Sequence, residues 1–410
     1  MGRLADARGL SRSLLNRNCR LILWRPKSRG LSMIYSRKSC LGIAAYCVVA
    51  SLLLCIPRSG NHLKLSKTRQ QLQPTPPILA LAPQSERRAQ IQCNGSQMIV
   101  FRYGFGAGGF GDCLKGLVAI LQIAWLFRRP FFIDFSTHPF SKSVPLRPEL
   151  IAPPCIRTIP NSHSNVFNFA DWLTSIDRRR NRDDAFSALK RGDISNLVMI
   201  TNINHTAELA SYFNEDIYRL HMAEQHFYAS MYSLVIDGAN LGTYWPAQTK
   251  HPYRIGLHLR MGDRHMSEAT FNKNDDRIGD SGISELIEAI RAIPDAVSSR
   301  ASGRTVQYFI CADTASGRRL LRENLPNITV IQSPWDPVHI GYSGIAEKTE
   351  VVEESLNVVK EHFTLSTADE LYMVTHSGFS SIACLASTSS QLVSKRCYSR
   401  NGSTWQLQSR

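Results

Sequence analysis

The sequence predicts an α/β protein with two consecutive domains, which follow an N-terminal membrane anchor and a stem. Its length is 410 residues, and single hydrophobic cores rarely grow past about 250–300 residues, so two domains are favoured. Short apolar segments of strand type alternate with segments of helical periodicity, as in parallel α/β sheets. The hydrophobic fraction of 43% and the charged fraction of 20% are those of a globular protein rather than a disordered one.

Most of the net charge of +15 lies in an N-terminal tail rather than in the body of the chain. Residues 1–56 contain ten Lys and Arg residues and a single acid, Asp6, so this segment carries +9 and the remainder carries +6. Proteins that bind nucleic acid concentrate basic residues on a face of the folded domain. The charge distribution therefore disfavours a nucleic-acid partner.

A charge-free apolar run of 17 residues, 40–56, lies shortly after Arg37 and Lys38. Membrane-spanning helices need roughly 17–25 apolar residues, and cytoplasmic flanks carry the excess of Lys and Arg. We therefore expect a cytoplasmic tail at 1–39, a transmembrane signal anchor at 40–56 and a luminal body, in a single-pass type II protein. Short spans suit thinner membranes, which favours the Golgi membrane, with the endoplasmic reticulum next. The alternative is a mitochondrial presequence, because the tail is rich in Arg and Ser.

Residues 57–96 contain several Gln and Pro residues and few aromatics, and we interpret them as a stem. Four N-glycosylation sequons agree with a luminal body, and six cysteines lie beyond the anchor, where disulfides are permitted. Cys93 and Cys397 flank the folded region and could pair, although sequence leaves the connectivity open. The sequons begin at Asn94, Asn204, Asn327 and Asn401, and the six cysteines are Cys93, Cys113, Cys155, Cys311, Cys384 and Cys397.

The body begins with a β-α-β unit, a signature of a parallel sheet. We predict strands at 98–103 and 131–135 around a helix that contains 114–125. The segment 136–241 is harder to interpret: 177–184, DRRRNRDD, suggests a solvated loop or helix end, and 196–201 a strand. From residue 253 the alternation returns, with strands at 254–259, 305–311, 328–332 and 371–375 and helices at 283–293, 316–323, 348–363 and 379–387. The predicted domains are an N-terminal Rossmann-like domain at 97–245, a C-terminal nucleotide-sugar domain at 246–395 and a tail at 396–410.

A glycine-rich segment follows the first strand, with Gly104, Gly106 and Gly109 in the spacing of the dinucleotide fingerprint and Asp134 at the end of the next strand. A single match of this kind is weak evidence. Its general meaning is that glycine lets the backbone approach a ligand, while the helix that follows offers unpaired N–H groups. An NAD-dependent oxidoreductase and a close-packed turn without a ligand both stay open as alternatives.

Three segments of the second half end strands with polar residues. These are HLRMGD at 258–263, the strand 306–311 with Asp313 behind it, and 371–380, where Ser377 precedes a helix. Because the carboxyl ends of parallel strands meet at one edge, the segments offer a cation, a carboxylate and helix N–H groups together. This combination predicts a nucleotide diphosphate site. Structural alternatives are helix caps for Asp313 and Ser377 and a buried core histidine for His258.

Four segments together resemble the GDP-fucose-dependent fucosyltransferase superfamily of α1,2-, α1,6- and protein O-fucosyltransferases. They are GFGDCLKGLVAILQIAWLFRRPFFIDF at 109–135, HLRMGD, FICAD at 309–313 and THSGFSSIA at 375–383. The resemblance covers about residues 97–390. It implies a GT-B fold, in which two Rossmann-like domains face a cleft, with GDP-fucose as donor and a glycan or glycoprotein as acceptor.

The resemblance also implies roles for individual residues. This chain departs from the family at Asp112-Cys113, where an Asn-Arg or Asp-Arg pair is usual, and at Gly378, where Ser is frequent. By the resemblance, Arg260 binds the β-phosphate of the leaving GDP, His258 shapes that pocket, Asp313 contacts guanosine, Ser377, Phe379 and Ser380 hold phosphate oxygens, and Gly109 and Gly111 line the cleft from the first domain.

The predicted reaction needs no metal ion. The sequence contains no Asp-x-Asp motif of the kind that metal-dependent glycosyltransferases use, so Arg260 and helix N–H groups are expected to stabilise the charge that develops on GDP. Inversion at the sugar needs a base for the acceptor hydroxyl. Glu268, where the α1,6 enzymes place such a carboxylate, and Asp263 are the candidates. A non-catalytic carbohydrate-binding relative is the remaining alternative.

Overall fold

The structure is a computed structural model that describes residues 97–104, 108–192, 196–247, 250–262, 282–325, 328–337, 350–373, 377–386 and 395–408. All of these belong to one compact unit, Pro74–Arg410. The strands are β1 (Met98–Arg102), β2 (Phe131–Asp134), β3 (Val166–Asn168), β4 (Asn196–Ile200), β5 (Tyr253–Leu259), β6 (Val306–Ala312), β7 (Val330–Gln332), β8 (Glu370–Met373), β9 (Arg396–Asn401) and β10 (Thr404–Leu407). The helices are α1 (Phe110–Leu126), α2 (Phe140–Ser143), α3 (Pro154–Arg157), α4 (Ser175–Arg191), α5 (Thr206–Phe213), α6 (Ile217–Ala229), α7 (Met231–Leu234), α8 (Gly238–Leu241), α9 (Gly282–Arg291), α10 (Ile293–Ala301), α11 (Ala315–Glu323), α12 (Glu350–Ser366) and α13 (Gly378–Leu385).

The strands form two sheets. The first has the order β2-β1-β4-β3 and is parallel throughout. The second has the order β10-β9-β8-β5-β6-β7 and is parallel except for β10, which runs antiparallel to β9. The predicted α/β class with parallel sheets is therefore confirmed. The predicted domain bounds at 97–245 and 246–395 stay predictions, although the first sheet lies wholly before residue 245 and the second wholly after it.

Strand β1 lies in the interior of the first sheet, and helix α1 packs on it. All five residues of β1, MIVFR, are buried, as is usual for a parallel strand that helices cover on both faces. Helix α1 is buried along most of its length and packs on β1. It contains the predicted 114–125 and begins earlier, at Phe110, because Gly111 and Asp112 interrupt the apolar periodic pattern.

Gly116 lets α1 lie directly against the end of β4. A methyl group at this position would overlap the carbonyl oxygen of Thr201 and come within 3.0 Å of the Phe101 ring. The overlap is with backbone, which cannot turn aside as a side chain can.

We therefore expect Gly116→Ala to lower the free energy of unfolding by about 3 kcal/mol, the upper end for overpacked cores. Urea denaturation measures the change. Gly104→Ala is the matched control, because a methyl group there meets only Thr137 Oγ1 at an ordinary 3.7 Å. Equal stability of the two variants would contradict the packing described for α1.

Helices α12 and α13 attach the second half of the chain to the first sheet. Val359 and Phe363 of α12 and Ile382 of α13 belong to the hydrophobic core that surrounds the first sheet. The hydroxyl of the buried Tyr232 lies 2.5 Å from Nδ1 of His362 in α12. These contacts bring the N-terminus of α13 beside the N-terminus of α1, which is the contact that matters for the site described below.

Two segments differ from their predictions. The charged segment 177–184, predicted as a solvated loop or helix end, is helical within α4. The helix is capped at its start by Thr174, whose hydroxyl accepts from the Asp177 N–H, and it ends at Gly192 with φ of +74°. Residues 396–407, predicted as part of a tail, form β9 and β10 and extend the second sheet past β8.

The described cysteines form disulfides and buried thiols. Cys384 and Cys397 are bonded, with Cα atoms 6.0 Å apart, and this pair excludes the suggested pairing of Cys397 with Cys93. Cys155 is also disulfide-bonded, and its partner lies outside the described residues. Cys113 and Cys311 are free and buried.

No helix in the described part of the chain is long and apolar enough to cross a membrane. The predicted cytoplasmic tail, the predicted span at 40–56 and the predicted stem all lie outside the described residues.

Candidate active site

Three strand ends meet at one edge of the second sheet. Strand β5 lies between β8 and β6 and is parallel to both, with His258 opposite Met373 and Leu259 opposite Ala312. The residues that follow these strands, from Arg260 and Asp313 to Ser377, are therefore at the same edge, as parallel topology requires. This is the edge where open α/β sheets bind ligands.

Asp313 organises the turn that follows β5. Its two carboxylate oxygens accept from the backbone N–H groups of Met261, at 2.9 Å, and of Gly262, at 3.1 Å. The guanidinium of Arg260 donates to the same carboxylate at 3.1 Å, in an ion pair whose side chains are 15% and 8% exposed. Gly262 has φ of +104°, a conformation that favours glycine. The HLRMGD segment is thus a strand followed by a turn that Asp313 holds in place.

The electrostatics of Asp313 reflect these contacts. Burial raises the pKa of the Asp313 carboxyl above its ordinary value, while the Met261 N–H and the Arg260 guanidinium act in the opposite direction. Three donors from the protein already occupy its oxygens. Asp313 is therefore placed to orient Arg260, and the guanosine contact that the family resemblance implied for it would have to share an oxygen with these donors.

His258 is a buried, neutral histidine next to Arg260. Burial, and then the charge of Arg260, lower its pKa to about 3. Its ring packs against the ring of Phe379 in α13, with centroids 5.1 Å apart. The Nδ1 atom has no hydrogen-bond partner among the residues the structure describes. His258 therefore packs between the end of β5 and the start of α13, and its predicted role in shaping a phosphate pocket stays a prediction.

The first turn of α13 provides backbone N–H groups rather than side-chain hydroxyls. Ser377 is its N-cap residue, and no cap hydrogen bond from the Ser377 side chain is present. Ser380 is completely buried, and its hydroxyl lies 3.4 Å from the Ser377 carbonyl oxygen. A phosphate contact through the Ser380 hydroxyl, as predicted, is therefore disfavoured. Half-buried Ser377 and Phe379 leave the start of the helix partly accessible.

The glycine-rich segment of the first sheet meets this helix. Gly109 is the N-cap of α1, and Gly111 lies so close to α13 that a methyl group on it would be 2.6 Å from the Phe379 nitrogen. The N-termini of α1 and α13 are therefore side by side. That Gly109 and Gly111 line a donor cleft from the first domain stays a prediction.

Asp134 does not fit the oxidoreductase alternative. It is 1% exposed, its Oδ2 accepts from Arg102 Nε at 2.7 Å, and its Oδ1 accepts from the Ser136 N–H at 3.0 Å. The dinucleotide fingerprint requires this carboxylate to bind a ribose hydroxyl. A buried carboxylate that is already ion-paired cannot do so without losing Arg102, so the structure does not favour the oxidoreductase alternative.

Two residues near the site were not predicted from the sequence. Lys115, which forms an ion pair with Asp112 beside α13, and His362, whose ring lies 4.8 Å from that of Phe379, were not singled out as site residues. Asn204 and Asn401 are exposed. Among the described residues, no group of His, Cys, Asp or Glu side chains is placed to hold a metal ion.

Five predicted residues lie outside the described ranges, so the structure does not test them. They are Asp263, Glu268, Gly106, Asn94 and Asn327.

No protein-family model matches the chain, and no curated protein matches its sequence. FUT1 of Arabidopsis thaliana, a mutant solved in complex with GDP, is similar at 14% identity, over 77% of this chain and 74% of that chain, with a TM-score of 0.47. NodZ α-1,6-fucosyltransferase co-crystallised with GDP is similar at 17% identity, over 77% and 99%, with a TM-score of 0.39. NodZ from Bradyrhizobium is also similar at 15% identity, over 77% and 99%, with a TM-score of 0.40. Likeness at this level assigns no activity to the chain.

Proposed function

We propose that this protein is an inverting, metal-independent glycosyltransferase of GT-B type that transfers fucose from GDP-fucose to a glycan or glycoprotein. The observation that carries the proposal is the placement of Arg260. The guanidinium is held by Asp313 at the carboxyl end of β5, a central strand of the second sheet, on the same sheet edge as Ser377, the N-cap of α13. The HLRMGD segment that holds Arg260 is also the most specific part of the family resemblance.

The arrangement suits the departure of a nucleoside diphosphate. The bond between the sugar carbon and the β-phosphate oxygen breaks, and its electron pair stays on that oxygen, so negative charge grows on the diphosphate. A planar guanidinium and backbone N–H groups at a helix N-terminus are groups that stabilise such charge without rearranging. Because Asp313 fixes the turn, Arg260 is oriented before the donor arrives.

The acceptor side completes the transfer. The hydroxyl oxygen of the acceptor attacks the sugar carbon from the face opposite the leaving group, and its proton passes to a carboxylate. Glu268 and Asp263 are the proposed bases, and both follow Arg260 closely in the sequence.

The proposed enzyme is a type II protein of the Golgi membrane with its body in the lumen. The apolar run 40–56 and its basic flank support this location. The bond between Cys384 and Cys397 also supports it, since disulfides persist in oxidising compartments. Asn204 and Asn401 are exposed, as glycosylated residues must be.

The test is thermal unfolding of the full chain with a panel of GDP-fucose, GDP, GDP-mannose, UDP-galactose and NAD. A ligand that binds only the native state stabilises it, by about 2.7 kcal/mol at a hundred times its Kd. We expect stabilisation by GDP and GDP-fucose with EDTA present, and release of GDP from GDP-fucose when acceptor glycans are added. Stabilisation by NAD alone would support the oxidoreductase, and binding of glycans without GDP release would support the non-catalytic relative; either result contradicts the proposal.

A further inference from the structure

An ion pair between the first and second turns of α1 faces the first turn of α13. Lys115 Nζ donates to Asp112 Oδ1 at 2.8 Å, and the side chains are 33% and 39% exposed. A methyl group on Gly378 would overlap Lys115 Cε and lie 2.6 Å from Lys115 Nζ. The ammonium group of Lys115 in α1 is therefore in contact with the backbone at the start of α13.

The ion pair lies where positive charge accumulates. Two helix N-termini, each the positive end of its dipole, lie side by side. The first turn of α13 contains no acidic residue, and that of α1 contains only Asp112. Lys115 adds a further positive charge at the same point. Asp112 is thus the one carboxylate that the two first turns supply to balance two helix ends and an ammonium group.

A buried polar atom lies beside the same helix start. His258 Nδ1 has no hydrogen-bond partner in the described part of the chain, its residue is 4% exposed, and its ring packs on Phe379 in the first turn of α13. An uncompensated polar atom at this burial is costly unless a ligand or water bonds to it. This observation is independent of the ion pair, and it leaves a buried nitrogen of a residue that packs on the first turn of α13 available to a polar ligand.

We propose that Lys115 binds the diphosphate of the donor and that Asp112 is the internal anion with which Lys115 pairs before the donor arrives. The inference rests on the proposed function. The ammonium leaves the Asp112 carboxylate for the more highly charged diphosphate, so the donor is bound by cations from both sheets, Arg260 and Lys115. A side chain at position 378 would displace the flexible end of Lys115 from this position, which glycine avoids.

The proposal predicts opposite changes in GDP affinity for substitutions of Lys115 and of Asp112. Lys115→Met removes a charge-assisted contact and is expected to weaken GDP binding by about tenfold. Asp112→Asn removes the anion that competes with the diphosphate for Lys115, so GDP is expected to bind more tightly than to the wild type. A purely structural ion pair predicts the same effect for both variants, since loss of either partner breaks it.

The experiment is calorimetric titration of the full chain with guanosine and with GDP, for the wild type, Lys115→Met, Asp112→Asn and the matched control Lys142→Met, an exposed lysine of α2. The expected result is weaker GDP binding only in Lys115→Met, unchanged guanosine binding in all four, and tighter GDP binding in Asp112→Asn. Unchanged GDP affinity in Lys115→Met, or weaker affinity in Asp112→Asn, would overturn the inference while the function stands. Failure of the wild type to bind GDP would overturn the proposed function itself.

Discussion

Replacement of Arg260 by alanine is expected to reduce GDP release from GDP-fucose by roughly 10²–10³-fold, the usual cost of removing one preorganised donor from a developing negative charge. The loss should fall on kcat, because the charge on the diphosphate is largest in the transition state. Steady-state rates of GDP release measure the change. Circular dichroism checks that the variant is folded, since Asp313 loses a partner but keeps two backbone N–H donors.

Arg260→Lys is the matched variant. It preserves the positive charge but not the planar fork, so its rate should lie between those of the wild type and Arg260→Ala. Asp313→Asn is expected to lower the rate as well, through a less ordered turn at 260–262. If Arg260→Ala released GDP at the wild-type rate, Arg260 would not contact the leaving group, and the proposed function would lose the observation that carries it.

Acidification is expected to destabilise the fold strongly between pH 7 and pH 5. Four buried histidines, His138, His205, His258 and His362, have their pKa values lowered to about 3 by burial. In the unfolded chain each would titrate near its ordinary value of about 6.5. As the pH falls through that value the unfolded state binds protons that the folded state cannot, so stability is complete above about 6.5 and is lost toward 3. At pH 5 the loss is on the order of 2 kcal/mol for each histidine.

Urea denaturation at several pH values measures this loss. Two buried carboxyls act in the opposite direction at lower pH, because burial raises the pKa of Glu361 and of Asp313, so that their folded forms bind protons more readily. They can only flatten the decline near the acid end of the window. The variant His138→Gln should show a shallower decline from pH 7 to pH 5 than the wild type. A free energy of unfolding that stays constant over this range would show that the histidines are protonated in the folded state.

The sequence predicted the regular elements well because their patterns are local. The strands at 98–103, 254–259 and 305–311 were located to within a residue or two, since short stretches rich in apolar residues, with or without period-2 alternation, are typical of strands. The β9–β10 hairpin was missed although its two turn residues, Gly402-Ser403, are a recognised hairpin signal. The cap of α4 was also missed, although Thr174 is followed three residues later by Asp177, a spacing typical of helix starts. The Asp177 carboxylate accepts from the Thr174 hydroxyl.

The site could be predicted only as far as strand ends are predictable. The topology of a parallel sheet brings Arg260, Asp313 and Ser377 to one edge, and this followed from the order of strands and helices. The choice of partners did not, because Asp134 pairs with Arg102 and Asp313 with the 260–262 turn through contacts between distant parts of the chain. Lys115 lacked any signal of its own, since its role depends on how close α1 and α13 approach.

The two free thiols among the described residues can report local opening of the fold. Cys113 is in the first turn of α1, Cys311 is in β6, and burial raises the pKa of both thiols well above the ordinary value. Since the thiolate is the species that reacts, a chemical label modifies each cysteine only when the structure around it opens. The labelling rate of Cys113 reports the separation of α1 from its neighbours at the site, and that of Cys311 reports the opening of the second sheet. Among the described residues, Cys113 and Cys311 are thus native kinetic probes, one in a helix of the first sheet and one in a strand of the second.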